Sequence, residues 1–392
     1  MKKRLRTGII GSGFAASFHF EAIQKIHEVD VDPIGVYSPT REHREAFARA
    51  RGIKAFDSAE GLIEACDIVH VCVPVSMHEH IALAALERGI YPIVEKPITG
   101  FCGDGSESFR GDIYPKRKVL DAVHESLGRI IEAESRSQAH ILYAENWVYA
   151  PAIQKEREII EKSGAQILWM RGEEAHSGSH SSTYGYWKHS GGGVMLGKGC
   201  HPLTAALYLK RKEGIARGKG PIHPQSVTGR IHSLTSLPDF SDKGHIRKNY
   251  HDIDDFSIMH IEFQDGTLAD IFASDIILGG IHNWLEVAAN NHRTICNINP
   301  TNILQTYNPL EEYFRDIYVV EKTGTKQGWS NPSPEEDFLN GFPQEMEAFY
   351  RSAAYDEPLE SDSSLAADAI STIFSAYLSA EQDGAKVDIR NY

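Results

Sequence analysis

The residue types best suited to chemistry fall in three places along the chain. Gly11, Gly13 and Ala16 give the spacing G-x-G-x-x-A between an apolar strand pattern (Leu5, Ile9, Ile10) and a helical one (Phe14, Phe18, Ala22, Ile23, Ile26). Lys96 stands in Glu95-Lys96-Pro97, where the apolar run Tyr91 to Val94 ends. Between Glu173 and His201 lie His176, His180, Tyr184, Trp187, Lys198 and His201, with Gly191-Gly192-Gly193 among them. The first spacing suits a pyrophosphate. Gly11 permits a tight turn, Gly13 leaves room for phosphate against the backbone, and Ala16 keeps the helix close to its strand. The helix N–H groups then face the anion, with Phe14 and Ala15 in the same cofactor-binding set. A lysine and a histidine brought together could hold a sugar hydroxyl and take its proton.

Positioning those groups requires particular elements. Ile34 to Tyr37, Asp67 to Pro74, Tyr91 to Val94 and Ala139 to Glu145 read as buried strands alternating with helices at Glu42 to Arg51, Ser76 to Glu87 and 119–131. That alternation predicts a doubly wound parallel sheet of the Rossmann kind over residues 1–146. Lys96 then lies on the ligand-binding edge, at the carboxyl ends of the strands. From Ile167 onward strands follow one another without crossover helices: Ile167 to Glu173, Val227 to Ile231, Ser257 to Phe263, Leu268 to Ala273, Leu285 to Ala288 and Thr294 to Asn297. They predict an α+β domain over 147–392 with a large, mostly antiparallel open sheet, and helices at Phe338 to Ala353 and Ser364 to Gln382. Val194 to Leu209 reads as a helix kinked at Pro202. The glycines before it let the chain pass close to a ligand, and Lys198, three residues before His201, could share its face at helical spacing; alternatively Lys198 points to water and His201 works alone. Residues 101–116 carry turn chemistry (Cys102-Gly103-Asp104-Gly105-Ser106) and predict a solvated loop over the sheet edge.

The formal charge of -14 argues against a nucleic-acid or anionic-membrane partner. The five cysteines form no CxxC pair, which excludes a disulfide framework and a zinc knuckle. His176 and His180 resemble a metal pair, but the glycine and serines between them argue against a helix face, and no third ligand stands at fixed spacing; no metal is expected. No stretch spans a bilayer, and the glycine turn arrives before any signal-type apolar core, so a cytoplasmic protein is expected. After the second strand, Ser38-Pro39-Thr40-Arg41 stands where an NAD site often has an acid. Ser38 and Arg41 could hold a 2′-phosphate, or Arg41 is a solvated helix residue. The cofactor is NAD or NADP, with a lean toward NADP or dual use.

Taken together, Gly11-Ser12-Gly13-(x)2-Ala16-(x)2-His19, Pro74-(x)3-His78 and Glu95-Lys96-Pro97 resemble the glucose–fructose oxidoreductase, inositol dehydrogenase and MocA family. The resemblance implies that Lys96 lies beside nicotinamide and substrate. It also places Pro74, His78, Glu95 and the polar Asn146 near the cofactor, and implies a homodimer or homotetramer through the C-terminal sheet. That family usually follows its glycines with an aspartate and, four residues on, a histidine. Here the histidine is His201 and the aspartate position is Gly197. The expected activity is an NAD(P)-dependent oxidoreductase acting on a secondary hydroxyl or ketone of a sugar, sugar derivative or cyclitol. His201 is its general base and Lys96 steadies the oxygen. Tyr149, His176, His180, Tyr184, Trp187 and Lys198 are the substrate-side candidates. The alternatives are an NAD-dependent glycosidase that oxidises transiently and eliminates, or a non-catalytic dinucleotide sensor.

Overall fold

The computed structural model describes residues 2–179, 181, 184–319 and 322–392. The chain opens with β1 (Arg4–Ile10), α1 (Phe14–Ile23), β2 (Asp30–Tyr37), α2 (Arg41–Arg51), β3 (Lys54–Ala55), α3 (Ala59–Ala65), β4 (Ile68–Val71), α4 (His78–Leu86), β5 (Tyr91–Glu95), α5 (Lys116–Arg136) and β6 (Leu142–Ala144). These six strands pair in the order β3-β2-β1-β4-β5-β6, all parallel. The order reverses at β1/β4, so the crevice above the strand ends lies where α1 begins. β4 is buried at every position and β5 at its centre, because helices cover both faces.

The short α6 (Asn146–Tyr149) and α7 (Pro151–Ser163) lead into β7 (Ile167–Ala175). Then come α8 (Trp187–Ser190), α9 (Val194–Gly197), α10 (Cys200–Ala216), β8 (Pro224–His232), β9 (Phe256–Phe263), β10 (Leu268–Ser274), β11 (His282–Ala289) and β12 (Arg293–Asn299). A two-stranded ribbon of β13 (Thr306–Asn308) and β14 (Gly328–Ser330) follows, then α11 (Glu336–Asn340), α12 (Phe342–Tyr355), α13 (Ser363–Glu381) and β15 (Val387–Asp388). The second sheet has the order β12-β11-β7-β10-β9-β8-β15. Only β7 and β10 run parallel; the other pairs are antiparallel, as expected. α10 and α13 pack on one face of this sheet. α12 reaches back to pack on α1 and α6.

Three sequence expectations need correction. The helix expected over 194–209 breaks at Lys198 and Gly199, between α9 and α10, and not at Pro202. Flanking glycines weaken the helix there, whereas Pro202 sits in the first turn of α10, where a missing N–H costs nothing. The helix expected over 338–353 divides at Gly341, whose φ is +91° and whose added Cβ would lie 2.4 Å from the Asn146 carbonyl oxygen. Residues 101–116 are not simply solvated. Phe101, Phe109 and Tyr114 cluster, the Gly111 N–H donates to Asp252 of the second half at 2.8 Å, and Lys116 donates to the Gly111 carbonyl at 2.8 Å.

Candidate active site

The glycine turn is built as its spacing requires. Gly11 has φ +120°, and an added Cβ would lie 2.0 Å from the Cys72 carbonyl oxygen. Gly13 caps α1 and faces open space, and the first turn of α1 carries no acid. Ala16 is buried with Ile9, Val36 and Phe47, which brings α1 down onto β1. An uncapped helix start beside an open glycine is a cradle that a pyrophosphate fits. The Ser12 hydroxyl donates to Ser38 at 3.0 Å, which ties the turn to the end of β2. Ser38 is buried, whereas Arg41 is exposed and donates to Glu45 at 2.7 Å.

Above this cradle the two halves meet in a cavity of about 300 Å³ lined by Phe14, Ala15, Phe18, Glu95, Lys96, Asn146, Trp147, Glu174, His201 and Phe342 among others. Lys96 projects from the end of β5, and its ammonium donates to the Gly197 carbonyl at 2.8 Å. Burial works against that charge, and its neighbours (Cys200, then Glu174, Glu145 and Glu95) outweigh it, so the group titrates above the usual lysine value. His201 enters from the first turn of α10. Its ring stacks on Trp147 at 5.9 Å, and Nδ1 lies 2.5 Å from the fully buried Glu145 carboxylate. Nε2 lies 3.7 Å from Glu174. α10 reaches this position because Gly172 of β7 leaves room for Pro202, which an added Cβ would approach to 2.8 Å. The alternation of β7 turns Gly172 and Glu174 to the cavity side and Glu173 away.

Sequence reasoning missed Glu145, Glu174 and Phe342. Glu145 follows β6 directly, on the sheet edge that singled out Lys96, so its place was readable. Its partner is 56 positions away, and that pairing was not. Glu145, Cys200 and His201 bring ligand atoms within 4.8 Å of one another. Nδ1 of His201 is bonded to Glu145, and the Lys96 ammonium lines the same cavity.

A second cavity, about 810 Å³, continues past Lys96 and Glu174 to His176, Tyr184, Gly197 and Lys198. Tyr184 explains the missing aspartate: a Cβ on Gly197 would lie 2.8 Å from the Tyr184 hydroxyl, so this ring takes the space. Among the described residues that hydroxyl has no hydrogen-bond partner, and burial, then Asp275, hold its proton well above the ordinary tyrosine value. Lys198 does not share the face of His201, because the chain breaks there; it is buried and paired with Asp275. His176 lines this cavity, and His180 lies outside the described residues. Two substrate candidates are corrected. Tyr149 is buried in the core against Phe349, and Trp187 is buried under Gly111 with its indole N–H donating to the Phe101 carbonyl at 2.8 Å. His78 also turns inward, its ring nitrogens 2.8 and 2.9 Å from the Pro97 and Val73 carbonyls, so it braces the Glu95-Lys96-Pro97 turn from behind. Asn146 faces the first cavity and donates to the Asn340 carbonyl at 2.7 Å. The triple glycine passes close to protein instead of ligand: a Cβ on Gly193 would lie 1.9 Å from Asp254. The larger cavity beside Lys25, Arg157 and Glu347, about 890 Å³, is lined by none of the groups above.

A parallel sheet in this strand order, a glycine cradle at its reversal point and a second, mostly antiparallel sheet whose packed helix α10 carries His201 define a Rossmann-type domain joined to an α+β domain. Residues 5–109 match the model of the Gfo/Idh/MocA oxidoreductase family, described as an NAD-binding Rossmann fold. Over 95 residues it is 30% identical to the UDP-N-acetylglucosamine 3-dehydrogenase of Acidithiobacillus ferrooxidans, covering 24% of this chain and 29% of that one. Over 131 residues it is 31% identical to the inositol 2-dehydrogenase of Corynebacterium glutamicum strain R, covering 33% and 37%. The chain thus matches about a third of the length of these curated relatives. The solved structure of GenD2 from gentamicin A biosynthesis, in complex with NAD, is similar along the whole chain, with TM-score 0.75, 21% identity and coverage of 100% and 97%. That likeness establishes the shared fold of both halves.

Proposed function

We propose that this protein is an NAD(P)-dependent oxidoreductase that moves a hydride between nicotinamide and a secondary hydroxyl or ketone of a sugar, sugar derivative or cyclitol. One observation carries the reading: the Lys96 ammonium and the Glu145-held imidazole of His201 line a single cavity whose rim is the glycine-started helix α1. Sugar and cyclitol dehydrogenases among the relatives support the substrate class.

When bound, the nicotinamide supplies the hydride acceptor or donor. This chain's residues handle the proton and the charge. Glu145 accepts the Nδ1–H of His201, which fixes the tautomer and leaves Nε2 to take the hydroxyl proton. Glu174, 3.7 Å from Nε2, favours the imidazolium that results. Lys96 hydrogen-bonds the same oxygen and steadies it as its proton leaves. Phe14, Phe18, Trp147 and Phe342 line the cavity and limit water. Cytoplasmic residence and a homodimer or homotetramer through the open C-terminal sheet belong to the same proposal.

The test is reduced-cofactor absorbance with NAD+ or NADP+ and a panel of inositols, glucose 6-phosphate and nucleotide sugars. Lys96→Ala and His201→Ala should each lower kcat by about 100-fold or more and leave dinucleotide affinity within about threefold. Near-full turnover in either variant removes that residue from the mechanism. Glycoside cleavage without net reduced cofactor would replace dehydrogenation with transient oxidation and elimination.

A further inference from the structure

The second cavity shares Phe14, Lys96 and Glu174 with the first and runs on past Gly197, and none of the steps above uses its far end. Four residues from separate parts of the chain meet there. β7 and β10 run parallel with Ala175 opposite Ser274, so His176 and Asp275, the next residue of each, leave the sheet side by side at the carboxyl ends of the strands. Asp275 is fully buried and pairs with the Lys198 ammonium, which the break between α9 and α10 brings to it. Nδ1 of His176 lies 3.5 Å from the same Asp275 oxygen. Lys322, from the connection between β13 and β14, closes the row. Its ammonium lies 3.3 Å from Nε2 and 3.4 Å from Nδ1 of His176 and donates to the Gly178 carbonyl at 2.6 Å.

Lys198, His176 and Lys322 line the cavity, and Asp275 lies behind them. Among the described residues the cavity wall holds three lysines, Lys96 included, and one carboxylate, Glu174, which stands at the near end 3.7 Å from His201. Asp275 offsets one ammonium of the row and fixes its place. An ammonium donates and cannot accept, so this end of the wall suits a group that only accepts. A sugar hydroxyl brings a proton of its own and matches the wall by half. A phosphate or carboxylate oxygen brings none at neutral pH and adds its charge to the bond. Lys198 is 4% exposed, and among the described residues only Asp275 accepts from its ammonium. An oxygen inside the cavity is left to take another of its three N–H bonds. The hydroxyls of Ser179 and Ser181, on the same wall, can donate as well. This cationic end is local, in a chain whose formal charge is -14. The phosphates of a dinucleotide already have the glycine cradle at α1 and do not need it.

We propose that the far end of this cavity binds an oxyanion, a phosphate monoester or a carboxylate carried by the sugar away from its reacting carbon, and that Lys198 and Lys322 thereby select anionic sugars over neutral ones. Lys96 then holds the reacting oxygen at one end of the substrate while the row holds the charge at the other. Asp275 is a positioning residue that keeps Lys198 on the wall. That the anion belongs to a sugar rests on the reading of function given above; that the row takes an oxyanion does not.

The test titrates the full chain by calorimetry with glucose, glucose 6-phosphate and glucuronate in the presence of NADH or NADPH. The reduced dinucleotide fills the glycine cradle and cannot oxidise the sugar, so binding is read without turnover. At about pH 8 the phosphate ester carries about two charges and the carboxylate about one, and the two arms tell which group the row takes. At least one of the two anionic sugars should bind about tenfold or more tighter than glucose, and that preference should shrink as salt is raised. Lys322→Met should cut the preference by about fivefold or more, and Lys322→Arg should keep it. Lys198→Met combined with Asp275→Asn removes both charges of the buried pair together, so no lone carboxylate is left in the interior, and should cut the preference likewise. The comparison of sugars on the parent chain does not depend on either variant folding well. Equal affinity for the three sugars, no binding of either anionic sugar, or a preference that either variant leaves intact overturns the proposal. A preference for the anion in a chain that reduces no dinucleotide with any sugar sinks the dehydrogenase reading and leaves the oxyanion site standing.

Discussion

His201 shows how far one residue's role depends on a neighbour that is remote in sequence. Its position after the triple glycine was readable, and so was Lys96 at a strand end, because short loops fix both. The family pattern has an aspartate four residues earlier, where this chain has Gly197, so the acid beside the imidazole cannot come from there. It comes instead from Glu145, at the end of β6. The exchange has a steric cause, since Tyr184 fills the space a side chain at 197 would need. No periodicity could reveal it, because residues 145, 184 and 201 meet only in the folded chain. Glu145→Gln keeps the shape and removes the charge that favours the imidazolium. It should lower kcat by about 100-fold or more with dinucleotide affinity unchanged. Steady-state kinetics beside equilibrium cofactor titration measure both, and a kcat within about threefold of the parent would take Glu145 out of the proton path.

At the scale of elements, the strands were readable from their buried runs and the helix ends were not. Lys198 was placed beside His201 by unbroken helical spacing. Gly197 and Gly199 end that spacing, and Lys198 turns to Asp275. The triple glycine likewise signalled a close approach without saying to what. It packs on Asp254, which accepts the Met195 N–H and the Tyr377 hydroxyl, each at 2.9 Å, so this loop hangs α9 on α13. Burial raises the Asp254 carboxyl from 3.8 to about 6. Between those values the folded chain holds a proton that the unfolded chain has released. The site's contribution to stability therefore falls as pH rises through that window, by about 3 kcal/mol at most. Asp254→Asn cannot titrate. The Tm of the parent minus that of Asp254→Asn should drop between about pH 4 and pH 6 and level off above. Thermal melts across that range check this, and a difference independent of pH would mean that Asp254 is charged in the folded chain throughout.

For the whole molecule, the open face of the second sheet is the feature that the isolated chain leaves unexplained. α10 and α13 cover the other face. The alternation of β7, β9 and β10 turns Trp169, Ile258, Leu268 and Phe272 outward, and Ile295 of β12 joins them at 49% exposure. A contiguous apolar surface on a sheet is a place for association. The polar groups among them already have partners. Arg171 and Arg293 both donate to Glu286 at 2.5 Å, and the Trp169 indole N–H donates to Asp270 at 2.7 Å. Covering this face therefore strands few hydrogen-bonding groups, which lowers the desolvation cost of pairing two copies. No helix among the described residues is long and apolar enough to cross a membrane. If the open face joins copies of the chain, the parent should sediment at a multiple of 43.6 kDa. Ile258→Glu with Phe272→Glu would bury two carboxylates at the contact and should shift the chain to monomer, while the cavity between Lys96 and His201, on the other side of the sheet, keeps its dinucleotide affinity. Sedimentation velocity with cofactor titration reads both quantities. A monomeric parent would end this reading of the sheet and leave the site untouched, whereas loss of cofactor affinity on dissociation would mean that each site is completed by its neighbour.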